Sequence, residues 1–208
     1  MNCVTSAFTL SRRHALIGAL SLAALPMPSR AMPAIVTAPD LNPQLMDRAR
    51  AALDRHSAHI VNRDRIGIVD FSKPSRDARL TIVNIASGQG LAMLVAHGRG
   101  SDPDHSGWVE QFSNEPGSHA SSNGAYLTAA RYTGVHGDSQ RLLGLDPDNC
   151  NAEARAIVIH PADYVSDDII ATQGKLGRSE GCFALRSDDI AMALALLGEG
   201  TMIYADRV

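Results

Sequence analysis

One cysteine of the chain stands where a thiol nucleophile needs to be. It lies in Gly177-Arg178-Ser179-Glu180-Gly181-Cys182-Phe183-Ala184-Leu185, between a glycine turn and an apolar run. Gly181 permits a sharp turn and leaves room for a carbonyl group. Backbone N–H groups around Gly181 and Cys182 can then hold the oxyanion of a tetrahedral intermediate. Arg178 and Arg186 carry charge that favours a thiolate. Such a thiol needs a base, and Ile157-Val158-Ile159-His160 is a β-branched run that closes on a histidine. An imidazole at the end of a buried strand is fixed in place yet reaches the surface, where it can take the Cys182 proton and return it to a leaving amine. No acid stands where it would orient the ring, so a backbone carbonyl near Pro161 is the candidate.

Other readings of these residues are bland. Cys150 and Cys182 are the two cysteines left once Cys3 is set aside with the N-terminal segment. In an oxidising compartment two cysteines pair by default. The Gly181 turn and the His160 run favour a free nucleophile instead. Cys150 sits in Asp146-Pro147-Asp148-Asn149-Cys150-Asn151, a turn-rich stretch with no catalytic pattern. His97, His105, His119 and His136 invite a zinc-hydrolase reading, but no tight ligand spacing such as H-E-x-x-H accompanies them. His97 and His136 read as hydrogen-bonded residues near a cleft, and His105 and His119 as solvated loop residues.

The elements that must position these groups come next. The chain has 208 residues, 45% hydrophobic and 20% charged, which fits one domain with a real core and neither a disordered tail nor a multi-span membrane protein. Residues 1–31 read as a signal peptide: Ser11-Arg12-Arg13, an apolar run from Ala15 to Leu25, then Ser29-Arg30-Ala31. The arginine pair suggests the twin-arginine route, and hence a periplasmic or cell-wall protein with no membrane association after cleavage. Without the three arginines of that segment the chain keeps 16 basic against 22 acidic residues, a charge of −6. That balance argues against nucleic acid or anionic lipid as partner. Residues 32–63 read as a Pro-rich linker (Met32 to Leu41) followed by an amphipathic helix over 43–60, with Asn42 as cap. His56 and His59 on that helix read as surface or boundary residues rather than ligands. From residue 64 onward short β-like runs alternate with turn residues: 66–71, 80–85, 91–96, 124–132, 140–145, 156–160 and 201–205. One late helix follows Ser187 and ends at Gly198. The fold class is α+β with a mainly antiparallel sheet. The polar stretch 98–123 is too long for an idle connection and should form part of a binding site.

His160 followed by Ser179-x-Gly181-Cys182, on a β-rich scaffold, resembles the signature of the L,D-transpeptidases, the YkuD-like murein enzymes. Further matches point to the murein L,D-transpeptidase catalytic domain branch and cover about residues 64–206. They are His97-Gly98-Arg99-Gly100-Ser101, Phe112-Ser113-Asn114, Ser121-Ser122-Asn123-Gly124-Ala125-Tyr126, His136-Gly137, Arg141-Leu142-x-Gly144-Leu145 and Arg155-Ala156 ahead of the His160 run. Two positions depart from the pattern, with Glu180 where His is usual and Ala184 where Arg is usual. The resemblance implies a YkuD-like β-sandwich and a catalytic domain over 64–208. It implies an enzyme that attacks peptidoglycan stem peptides through a Cys182 thioester, expels terminal D-Ala and transfers the acyl group to an amine, giving a 3→3 cross-link. An L,D-carboxypeptidase using water is the alternative within that class, and a non-catalytic wall-binding module with a Cys150–Cys182 disulfide is the alternative outside it. The resemblance further implies that Ser179 orients the catalytic loop and that Tyr126 and His136 line the pocket. Arg178 or Arg186 would hold the substrate carboxylate in place of the missing arginine. It implies no metal or organic cofactor.

Overall fold

A computed structural model describes residues 32–37 and 41–208. The signal-peptide reading of residues 1–31 lies outside the described residues. The first element is already a difference from the expected linker. β1 (Ala34–Thr37) pairs antiparallel with β4 (Gln89–Met93), from Ala34 opposite Ala92 to Thr37 opposite Gln89. Ile35, Val36 and Thr37 are β-branched, and pairing satisfies backbone groups that β4 would otherwise present at a bare edge.

Helix α1 (Pro43–Arg55) begins at Asn42, whose side-chain oxygen accepts from the Gln44 N–H at 3.0 Å, with Pro43 in the first turn. It stops five residues sooner than the periodicity suggests. The chain turns after His56, and Ile60 still buries with the helix's own Leu45, Met46, Ala49, Ala52 and Leu53. These side chains pack on Ile66, Ile68, Val83, Ala125 and Met202 of the sheet.

The remaining strands are β2 (Asn62–Asp70), β3 (Leu80–Asn84), β5 (Gly124–Gly134), β6 (Gly137–Gly144), β7 (Val158–Pro161), β8 (Phe183–Leu185) and β9 (Thr201–Asp206). Their spatial order is β1-β4-β3-β2-β9-β5-β6-β7-β8. The sheet is mainly antiparallel, as expected, but mixed: β2 runs parallel to β9 and β7 parallel to β8. Both parallel pairs join strands separated by crossovers long enough to reverse the chain, which a hairpin cannot do. Past β4 the chain returns to the other end of the sheet through single bridges, Val95 to Leu185 and Gly98 to Ser179. The two ends thus meet around a second core of Val69, Phe71, Met93, Val95, Tyr126, Ile157, Ile159, Phe183 and Leu185.

Two short helices complete the fold. α3 (Ile190–Leu196) is the expected late helix, capped at Asp189 rather than Ser187 and burying Ile190, Ala193 and Leu194. α2 (Asp167–Gln173) has no counterpart in the hydrophobic periodicity because it buries no residue. Its ends are nevertheless written locally. The Ser166 hydroxyl accepts from the Ile169 N–H at 3.2 Å, two aspartates sit in the first turn, and Gly174 closes it at φ +72°.

Candidate active site

The site forms where β7 and β8 run side by side. Ile159 pairs with Phe183 and His160 with Ala184. Side chains alternate across a strand, so Ile159 and Phe183 enter the core while His160 and Ala184 take the opposite face. Cys182 has the parity of Ala184 and precedes β8 by one residue, which directs it to the face His160 occupies. The turn before it depends on Gly181, at φ +115°. A β-carbon there would stand 2.7 Å from the Ala120 carbonyl oxygen and 2.8 Å from Ile157.

Burial favours the neutral form of both Cys182 and His160. Burial pushes the Cys182 thiol up, with nearby Glu180 adding to the rise and the Val158 backbone N–H and Arg155 opposing it. The sulfur's closest hydrogen-bond acceptor is the Ala156 carbonyl at 3.6 Å. Burial pushes His160 below its ordinary value; its bond to Pro161 opposes this and His136 reinforces it. His160 Nδ1 lies 2.9 Å from the Pro161 carbonyl oxygen. A carbonyl only accepts, so Nδ1 carries the proton and Nε2 keeps its lone pair for use as a base. The orienting group is the backbone carbonyl the sequence pointed to. The His136 ring, from the β5–β6 turn, stacks on His160 with centroids 4.5 Å apart.

The surrounding loops are tied by polar side chains reaching backbone carbonyls. Ser179 Oγ donates to the Cys182 carbonyl at 2.7 Å and accepts from the Gly181 N–H at 3.2 Å, which clamps the turn from within. Arg155 donates to the carbonyls of Ser113 and Ala120 and to the Ser122 hydroxyl, anchoring the 113–122 segment beside the sulfur. Behind Ser179, Gly98 and Arg99 pair with its backbone, and Ser179 N donates to the His97 carbonyl at 2.9 Å. The His97 ring is wholly buried between Arg79, 2.7 Å from Nδ1, and Asp102, 3.1 Å from Nε2. Desolvation, then the Arg79 charge, lowers His97 to about 4. Buried polar groups of this kind need every partner in place, so the cluster fixes the path of residues 97–102.

A cleft of about 510 Å³ is lined by Cys182, His160, His136, Arg155, Arg178, Ser179, Glu180, His119, Tyr164 and neighbouring backbone. The 98–123 stretch contributes to it, through Pro116, Gly117 and His119. Four expectations need correction. Tyr126 does not line the cleft: it is fully buried, its edge meets Phe183, and its hydroxyl donates to the Ser122 carbonyl at 2.8 Å. Arg186 faces Asp167 at the start of α2, at 3.1 Å, and lies away from the cleft. The Gly181 N–H, expected to face an oxyanion, donates to the Ser179 hydroxyl at 3.2 Å. His105 and His119 are not simply solvated: His105 Nε2 bonds the Leu176 carbonyl at 2.8 Å, and His119 stands at the cleft near Glu180. Arg178 does reach the cleft, but its guanidinium also donates to the carbonyls of Asp102 and Pro103. Cys150 and Cys182 are both free thiols, so the disulfide of the wall-binding alternative is not formed. Ala184 is wholly buried among Leu94, Ala96 and Leu176. Sequence reasoning passed over Arg155, quoted only as the head of a strand motif, and Tyr164, which no local pattern marks. Among the described residues no three His, Cys, Asp or Glu side chains gather to hold a metal ion.

Comparison with known proteins gives a family match over residues 37–205, to the L,D-transpeptidase catalytic domain. A search of curated proteins gave no match. Among solved structures, an L,D-transpeptidase from Mycobacterium smegmatis is 14% identical, over 69% of this chain and 58% of that one, with a TM-score of 0.43. L,D-transpeptidase 3 from Mycobacterium tuberculosis, solved with a faropenem-derived adduct, is 12% identical over 69% and 60%, with a TM-score of 0.44. A helical cell shape determining protein from Campylobacter jejuni is 11% identical over 80% and 57%, with a TM-score of 0.44. The chain thus spans about three fifths of the length of these structures.

Proposed function

This chain belongs to the L,D-transpeptidase catalytic domain family, and from that premise we propose that it is a cysteine acyltransferase acting on peptidoglycan stem peptides. The observation that carries the reading is a free, partly exposed Cys182 sharing one cleft with His160, whose Nδ1 is held by the Pro161 carbonyl. In the first step His160 Nε2 takes the Cys182 proton as sulfur bonds to the carbonyl carbon of the diamino acid at stem position three. Burial keeps the resting thiol protonated, so proton removal and attack are coupled, without a pre-formed ion pair. The tetrahedral intermediate collapses as the C–N bond to terminal D-Ala breaks, and His160 returns the proton to the departing amine. A thioester on Cys182 remains. An amine of a second stem then attacks, its proton passes to His160 and on to the sulfur, and a 3→3 cross-link is released. Ser179 keeps the turn rigid and Arg155 holds its surroundings, so the reacting groups meet without reorganisation. The reading also places the protein in the periplasm or cell wall once residues 1–31 are removed.

Incubation with a disaccharide tetrapeptide, followed by mass spectrometry of products and protein, tests the assignment. The expected products are a cross-linked dimer and an adduct on the protein that Cys182→Ala loses. Tripeptide without dimer makes the enzyme an L,D-carboxypeptidase. An unmodified protein and unchanged peptide overturn the reading.

A further inference from the structure

Two histidine rings meet in the cleft, and the acyl-transfer steps use one of them. The His136 ring lies against His160 with centroids 4.5 Å apart and planes 30° apart. Strand register brings it there. β6 pairs with β7, Gln140 opposite Ile159, so the turn that begins β6 comes up beside His160. That turn holds two residues, Val135 and His136, between the paired Gly134 and Gly137. Gly137 turns the chain back at φ +87°, and a β-carbon on it would stand 3.6 Å from Pro161 Cγ. The turn therefore sits against the residue whose carbonyl holds His160 Nδ1.

His136 is a different kind of residue from His97. The His97 ring is wholly buried and both its nitrogens are engaged. His136 is exposed, and neither of its nitrogens has a hydrogen-bond partner among the described residues. What its ring meets is the face of His160. An exposed side chain with no hydrogen bond to lose adds little to stability. His160, for its part, is held by one hydrogen bond, from Nδ1 to the Pro161 carbonyl. A single bond selects the tautomer but lets the ring tilt about it, and a second ring on its face removes that freedom. Stacked aromatic rings attract at centroid separations of about 4.5–7 Å, and this pair lies at the close end. The charge of His136 acts in the same sense, pushing His160 toward the neutral base. The other titratable groups around the cleft are Cys182, Arg155, Arg178, Glu180, His119 and Tyr164. Asp163, on the chain after β7, shares with His136 the wall of a second cavity of about 340 Å³.

We propose that His136 is a positioning residue for the reaction: carried on the tip of the β5–β6 hairpin, its ring backs His160 and fixes the plane in which Nε2 is presented to the cleft. The proposal rests on the cysteine acyltransferase reading and deepens it. It replaces the expectation that His136 holds substrate with a role exerted through the base.

The test follows thioester formation by intact mass over a range of disaccharide tetrapeptide concentrations. His136→Ala should lower the saturating rate about three- to tenfold, the size of one stacked ring pair, and leave the half-saturating concentration in place. His136→Phe keeps a ring on His160 and should recover most of the rate. Both variants remove the charge, so His160 keeps its proton to higher pH and the acid limb of the rate profile should move up in pH. NMR titration of the His160 imidazole should show the same upward move without substrate. Four outcomes overturn the proposal: an unchanged rate in His136→Ala, a loss confined to the half-saturating concentration, a His136→Phe as slow as His136→Ala, or an unmoved His160 midpoint. If the unaltered protein forms no thioester while the midpoint does move, the acyltransfer reading falls and the ring contact stands.

Discussion

The α1 side of the sheet and the cleft side are held together by different physics. On the α1 side, Leu45, Ala49, Ala52 and Leu53 pack on Ile66, Ile68 and Met202 mainly through apolar burial, with Arg48 and Arg55 pairing with Asp206 and Asp146 at the rim. On the cleft side, Arg155, Arg178, Ser179 and the buried Arg79–His97–Asp102 cluster join loops through charged or hydroxyl groups aimed at single atoms. Apolar burial is strong but indifferent to direction, whereas hydrogen bonds are modest in net energy and exacting in geometry. The α1 side therefore supplies stability, and the cleft side supplies position.

Substitutions can pull these two contributions apart. The largest effect belongs to the reacting pair. Cys182→Ala should remove turnover and protein acylation together, and His160→Gln should lower the acylation rate about 10²–10⁴-fold. Both should melt close to the unaltered protein, and a large fall in melting temperature would erase the distinction between the two sides. Next, Leu45→Ala on α1 should cost about 2–5 kcal/mol in denaturant unfolding, because the side chain is wholly buried. The acylation rate of the folded protein should survive it. Third comes the buried histidine. His97 binds its proton in the unfolded chain near 6.5 but in the folded protein only near 4. Stability is thus fully present above about pH 6.5 and declines as pH falls toward 4, by about 3 kcal/mol at the limit. Denaturant titrations across that window should show the decline, and His97→Asn should flatten it. The smallest effect is Asn42→Ala, about 1 kcal/mol through loss of the α1 cap. Its acylation rate should not move.

The same division explains what could be read from the sequence. α1, the β-runs and α3 announce themselves through periodicity because each buries an apolar face. Helix α2 does not, since none of its residues is buried, although Ser166 and Gly174 mark its ends. β1 was hidden in a Pro-rich stretch, because a four-residue strand is fixed by its partner β4 more than by its own composition. At the site, Cys182, His160 and the Pro161 carbonyl were legible because a turn glycine and a strand-ending histidine are local patterns. The duties of Tyr126, Arg186 and Arg155 were not. Each depends on a partner distant in sequence: Phe183, Asp167 and Ser113 respectively. The two parallel pairings escaped for the same reason, since strand direction is set by connections rather than by residue types.

The upward push of burial on the Cys182 thiol bears on chemical labelling. Alkylating reagents and peroxides attack sulfur anions, and burial disfavours that anion at Cys182. Cys150 is exposed on the surface and meets such reagents first. A generic thiol probe should thus mark Cys150 ahead of Cys182.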